Sequence, residues 1–448
     1  MNETTSKDNI SNAPWPSATA AWYTVFVLSL TALINFLDRG ILALLVPEIK
    51  QDLNLSDTEM GIIMGFAFVL FYVLAGLPIA RYADRGNRRN LMVIGLALWG
   101  GATALCGLAK SFGSLFLFRV GVGVGEACTG PATFSILGDY FRPEKLARAI
   151  GVMNIGMIAG NGLALLIGGG IIAFLSSMPP VHLPFYGELQ SWQLTLLLVG
   201  TPGLFIALLM LTVKEPPRRV LGEPPSVKTV IAYLTSKRWI YVPLIVGFAL
   251  NTVAAVGNSS WGPVFFMRTY GWGMGKIAFY LGIMLMLFMP VGAMLGGMIS
   301  EKLMKVGYAD ANMRIVMAVQ VLVFLPHVLY PLMSSPEMAL VLSGLGMFLG
   351  GIIIGPQNAA IQMITPNRMR GQITAVMFFG FNVIGFGLGP VLLALVTDYV
   401  FQDESQIRFA LSSVYAVTGP IAFGILWLGL KPYRAEVEKM KIVEQQKN

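Results

Sequence analysis

Twelve runs of roughly 20 apolar residues, separated by short polar turns, constrain this chain more than any other feature. They fall near 22–46, 60–80, 91–109, 114–139, 147–173, 192–213, 241–266, 277–299, 314–333, 337–363, 371–396 and 409–430. Each is long enough to cross a bilayer, where only a helix or a closed barrel satisfies every backbone group. At 12% charged residues the chain is also far below the roughly 25% of soluble domains. The expected fold class is therefore an all-α membrane protein of twelve transmembrane helices. Residues 1–21 are polar and lack the basic start and short apolar core of a cleaved signal, so the first span is expected to insert intact.

The net charge of +8 does not imply a nucleic-acid partner, because of where the cations sit. Alternate loops collect nearly all of them, including Arg81, Arg85, Arg88, Arg89, Arg142, Lys145, Arg148, Arg218, Lys237 and Arg370. The other side has only Lys50, Lys110, Arg268, Lys276 and Arg408, while Arg39 and Arg119 lie inside spans. This is the positive-inside pattern, and it predicts both termini in the cytoplasm, most simply at a bacterial inner membrane. Cys106 and Cys128 fall in apolar runs and His182 and His327 lie far apart, so neither a metal nor a disulfide framework is expected.

A Pro-rich, basic connection at 214–240 divides two six-span halves, 22–213 and 241–430, with tails at 1–21 and 431–448. The halves echo one another. Gly130-Pro131, Pro143 and Arg148 in the first match Gly355-Pro356, Pro366 and Arg370 in the second. ARYADRGNRR (80–89) matches GMISEKLMK (297–305), each with a small residue, then an acid four positions on followed by a base. Repeated halves predict a binding site near the bilayer midplane, where the halves meet.

Residues 116–141, FLFRVGVGVGEACTGPATFSILGDYF, carry Arg119 and Glu126 well inside an apolar segment. An ionisable group at membrane depth costs at least ~2.5–3.5 kcal/mol and so marks an ion or substrate path by default. The two are seven residues apart and share one helix face, with Gly121, Gly123 and Gly125 leaving room for close approach. The matching positions of the second half are Gly344 and Gly351, so fold symmetry does not require these charges. In span one, Asp38 is expected roughly 12 Å deep and Arg119 roughly 8 Å deep in an antiparallel neighbour, close enough to pair. Asn35 lies one turn before Asp38 and is expected to hydrogen-bond beside it, whereas Arg39, about 100° around the helix, is expected to face elsewhere.

These stretches resemble known carriers. ARYADRGNRR is similar to the signature loop of the major facilitator superfamily, Gly-x-x-x-Asp-Arg-x-Gly-Arg-Arg, departing from it at Ala80 and Asn87. NFLDRGILALLVPEI (35–49), RVGVGVGEA (119–127) and TPNRMRGQ (365–372) resemble the Spinster-like branch of sphingolipid and lysolipid transporters. Organic-anion:cation symporters share the Asn-x-x-Asp-Arg start. The resemblance implies that Asp38, Arg119 and Glu126 serve proton coupling and substrate binding. It also implies that Asp84, Arg85 and Arg88, echoed by Glu301 and Lys302, brace the inner gate.

Asn154, Asn251, Asn258, Gln357 and Asn382 are intramembrane amides that either line a cavity or join helices, and Tyr72 and Trp261 either stack on a ligand or pack. The expected function is proton-coupled secondary transport of a small amphipathic or lipid-like substrate by alternating access. The alternative is a proton-coupled organic-anion symporter with Arg119 on the carboxylate. No cofactor, no metal and no enzymatic activity are expected; the partners are membrane lipid and substrate, and the expected working unit is a monomer.

Overall fold

The computed structural model describes residues 14–179, 181–184, 187–218, 227–366 and 369–445. Within some helices the side chains of individual residues, among them Asp84, Asn154 and Asn382, lie outside the described set. Among the described residues eleven helices are long and apolar enough to cross a membrane, and a further apolar stretch, Gly160–Ser176, accounts for span five. The chain forms two compact units, one of Met1–Glu223 with Met274–Gly282, the other of Pro224–Gly273 with Ile283–Asn448.

In the first unit, α1 (Ala18–Leu53) begins on Ser17, whose hydroxyl accepts from Ala20 N at 3.3 Å, and ends on left-handed Asn54. Helix α2 (Asp57–Gly61) starts with a Ser56–Glu59 capping box and passes through a π-helical turn, Ile62–Phe66, into α3 (Ala67–Arg85). Next come α4 (Arg88–Cys106), α5 (Phe112–Glu126), α6 (Thr129–Tyr140), α7 (Pro143–Ser176), a short antiparallel hairpin of β1 (Val181–Leu183) and β2 (Gly187–Leu189), and α8 (Ser191–Leu211). The fourth span is thus two helices. Pro131 has no N–H for the Ala127 carbonyl, and the Thr129 hydroxyl takes the Glu126 carbonyl at 2.8 Å, so the helix breaks immediately after Glu126.

The loop between α3 and α4 holds a buried ionic network within this unit. Arg88 is fully buried and binds Asp139, Glu215 (Nε to Oε1, 2.7 Å), Ser135 and the Pro216 carbonyl. Arg85 stays exposed. Arg218 donates to the carbonyls of Ala83 and Gly86 at 2.7 Å, so the first residues of the linker are fastened to this loop. Its guanidinium fork is satisfied by partners 51 and 127 residues away. Arg88→Leu is expected to remove the buried cation that faces Asp139 and Glu215 and to cost about 3–5 kcal/mol. Thermal melting of the detergent-solubilised protein reads this out; Arg88→Lys should recover only part of the loss.

The second unit contains α9 (Val227–Ser236), α10 (Arg238–Tyr270), the greater part of α11 (Met274–Lys305), α12 (Ala311–Leu329), α13 (Pro336–Met363), α14 (Arg370–Phe381), a π-helical turn at Asn382–Phe386, α15 (Gly387–Leu395) and α16 (Ile407–Gln445). Its core gathers Tyr241, Phe248, Met313, Ile361, Met377 and Tyr433. Two sequence expectations change here. The 214–240 connection contains a helix, α9, because Val230 packs into that core. The 431–448 tail is not separate either, since α16 remains helical through Gln445. Tyr433 donates to the Ala360 carbonyl at 3.1 Å, and Arg434 meets Asp310 at 2.8 Å. Burial opposes ionisation of Asp310, yet hydrogen bonds from Arg314 and Arg434 hold its carboxyl below the usual range.

Glu301 pairs with Lys305 (2.6 Å), and it is mostly exposed. The echo of the first half's loop therefore does not extend to an equivalent buried network. Helix geometry favours the i,i+4 partner over the adjacent one.

Candidate functional site

Four charges meet inside the first unit. Asp38 on α1 is 1% exposed and accepts from Arg119 of α5 at 3.1 Å, the pairing that depth along the spans predicts. The Trp99 indole on α4 points at the same oxygen from 3.5 Å. Arg39 does not face elsewhere. It forms an ion pair with Glu126, and a helix rotation of 100° is easily spanned by a long guanidinium when the alternative is an uncompensated buried carboxylate. The cluster therefore contains two cations and two anions, where the sequence places one cation against two.

Phe68 of α3 organises the two arginines. Its ring centroid lies 4.5 Å from the Arg39 guanidinium carbon and 5.7 Å from that of Arg119. Both contacts are in cation–π range, which keeps two like charges near one another on a face that disperses neither. Tyr72, one turn on, stacks on Phe68 at 5.7 Å and is half-buried. Neither Phe68 nor Trp99 is separable in sequence from the other aromatic residues of these spans.

The glycines of α5 make the approach possible. A Cβ on Gly123 would stand 2.3 Å from the Phe68 carbonyl, and one on Gly125 would stand 2.5 Å from Trp99 N. Their absence of side chains brings α3 and α4 against α5, so the ring and the indole reach the charges.

Satisfaction of the cluster is incomplete. Asp38 Oδ1, Arg119 Nε and Glu126 Oε2 are buried without a hydrogen-bond partner among the described residues. Buried polar atoms are rarely left so, and here they provide two acceptors and a donor for a proton, water or ligand. Arg39 is the open side of the cluster, with its side chain 28% exposed against 5% for Glu126.

The remaining sequence candidates are distributed differently. Asn35 is half-buried and makes no hydrogen bond among the described residues. In the second unit Asn251 reaches Gln320 at 3.4 Å, and Gln320 continues to the Gly419 carbonyl at 3.1 Å. Asn258 accepts from the Tyr330 hydroxyl. Both asparagines therefore join helices. Trp261 is 1% exposed and donates to the Pro390 carbonyl at 2.9 Å, so it packs and does not line a cavity. Gln357 is half-buried, and Asn154 and Asn382 have side chains outside the described residues.

Apolar spans that enclose buried charges define an integral membrane protein with a polar site inside its helices. Residues 28–390 match the Major Facilitator Superfamily model, and the chain belongs to that family. It is thus a multi-pass transporter, not an enzyme. It is similar to an MFS-type efflux pump of Mycolicibacterium smegmatis, 28% identical over 93% of this chain and 94% of that one. A probable L-galactonate transporter of Escherichia coli is 22% identical over 91% and 89%. Among solved structures, a bacterial homolog to the human lysosomal transporter Spinster, inward-facing and unoccupied, superposes with a TM-score of 0.77 at 25% identity. That match covers 94% of this chain and 98% of the other, in accord with the Spinster-like motifs.

Proposed function

We propose that the chain is a proton-coupled secondary transporter that moves an amphipathic substrate with an anionic end by alternating access. The observation that carries this reading is the buried Glu126 carboxylate, bound to Arg39 through one oxygen and, among the described residues, unpartnered at the other. With all four groups ionised the cluster is neutral. A proton on Glu126 removes one negative charge, releases Arg39 from its counter-ion and leaves a net positive site for an anion. Loss of the proton restores the pair and expels the anion. Asp38 keeps Arg119 fixed throughout, and Phe68 holds the Arg39 guanidinium in place while it changes partner.

A small organic anion is the second reading, favoured by the second arginine and by the sugar-acid carrier among the relatives. Melting of the purified protein with lysolipids, hexuronates and neutral sugars at two pH values separates the two. Anionic lysolipids should raise the melting temperature, more so at the lower pH. Stabilisation by hexuronates alone would establish the second reading, and stabilisation by neutral sugars alone would contradict both.

The cation distribution supports cytoplasmic termini. Lys228 is exposed on α9 and provides the test, since Arg218 is engaged by Ala83 and Gly86. In a background without Cys106 and Cys128, Lys228→Cys should be labelled by a membrane-impermeant maleimide only in inverted vesicles. Labelling in intact cells would reverse the orientation.

A further inference from the structure

Between α1, α7 and α8 the first unit contains a cavity of about 330 Å³ that takes no part in the charge cluster. Leu37, Ala164 and Val199 form its floor and are 4%, 0% and 2% exposed; Ile167 and Leu198, at 41% and 47%, form its mouth. Among the described residues no charged side chain lines it. Its one hydroxyl, on Thr201, donates to the Leu198 carbonyl at 2.8 Å, the acceptor that Pro202 leaves without a helical donor. Water has nothing to bond to in such a space, and apolar cavities of this kind stay dry and take up hydrocarbon.

The mouth is continuous with the lipid-facing surface. On α8 the exposed residues Leu198, Phe205 and Leu208 follow one helical face, and on α7 Leu163, Ile167 and Phe174 do the same. In a membrane-spanning chain these stripes contact acyl chains, and the cavity is a recess in them. We propose that the recess is a binding site for one acyl chain of a bilayer phospholipid. The absence of charged groups in the recess leaves the headgroup outside it, at the bilayer surface. On the proposed function the transported molecule meets the charges on the side of α1 that faces α5, whereas the recess lies where α1 meets α7 and α8. A seated chain packs on Leu33 and Leu37, the turn of α1 that delivers Asp38 to Arg119. The site thus lets the surrounding lipid brace the turn on which the charge cluster is built.

Native mass spectrometry of the full-length protein, extracted from vesicles of phosphatidylethanolamine and phosphatidylglycerol, tests this. Wild type should retain one phospholipid more than Ala164→Phe, which fills the floor, or Ile167→Trp, which plugs the mouth. Leu208→Trp, on the same stripe but outside the recess, should retain the wild-type number. Ile167→Trp alters an exposed position, so it decides the matter even if Ala164→Phe fails to fold. Equal retention by wild type and Ile167→Trp would reduce the recess to ordinary lipid contact and overturn the proposal. Displacement of the retained phospholipid by a transported lysolipid, one for one, would make the recess the seat of the substrate tail and overturn it as well.

Discussion

Glu126→Gln is expected to exchange substrate for substrate across a proteoliposome membrane at close to the wild-type rate, yet to lose accumulation driven by a pH difference. Glutamine reproduces the shape and charge of the protonated acid. With no charge at position 126 at any pH, Arg39 still offers the substrate anion a partner, while the event that ties its release to a proton is gone. Uphill uptake should fall to the level seen without a pH difference. The cost to folding should be modest, because Arg39 keeps the Phe68 face and is partly open to solvent. Undiminished pH-driven uptake by this variant would remove Glu126 from the coupling and leave Asp38 as the proton site.

Asp38→Asn should behave in the opposite way, impairing exchange and accumulation together. Arg119 is 3% exposed and pairs with Asp38, and removing that charge leaves a buried guanidinium uncompensated. Losses of this kind run to about 3–5 kcal/mol. The Trp99 indole loses its charged acceptor in the same change. A double replacement, Asp38→Asn with Arg119→Gln, removes both charges and should recover much of the melting temperature without recovering transport. That pattern separates the structural share of the pair from its share in the cycle. Full transport by the single variant would mean that the ion pair is only a fastening between helices.

The span architecture was legible because hydrophobic length and loop charge are properties of segments, each averaged over many residues. Arg119 and Glu126 stood out for a related reason: in an apolar run a charge is rare, and the repeat placed Gly344 and Gly351 opposite them. In the second unit those glycines serve packing instead, with a Cβ on Gly351 falling 2.5 Å from the Met289 carbonyl. The Asp38–Arg119 pair followed from depth, because the two spans run antiparallel and carry both residues to similar depths. Arg39 was misread because helix periodicity fixes where a Cβ points, not where a long, flexible side chain ends. Asp139 and Glu215 were missed for a different reason. Their link to Arg88 depends on how α4, α6 and the start of the linker come together, and no spacing along one helix encodes that.

Movement of protons with substrate is the most direct test of the account. Wild-type protein is reconstituted in vesicles containing a trapped pH indicator, with equal pH on both sides and the membrane potential clamped. A substrate identified in the ligand screen is then added outside. Wild type should change the internal pH as substrate crosses, and Glu126→Gln should move substrate with no change. Substrate entry into wild-type vesicles without any proton movement would contradict the proposed role of the Arg39–Glu126 pair.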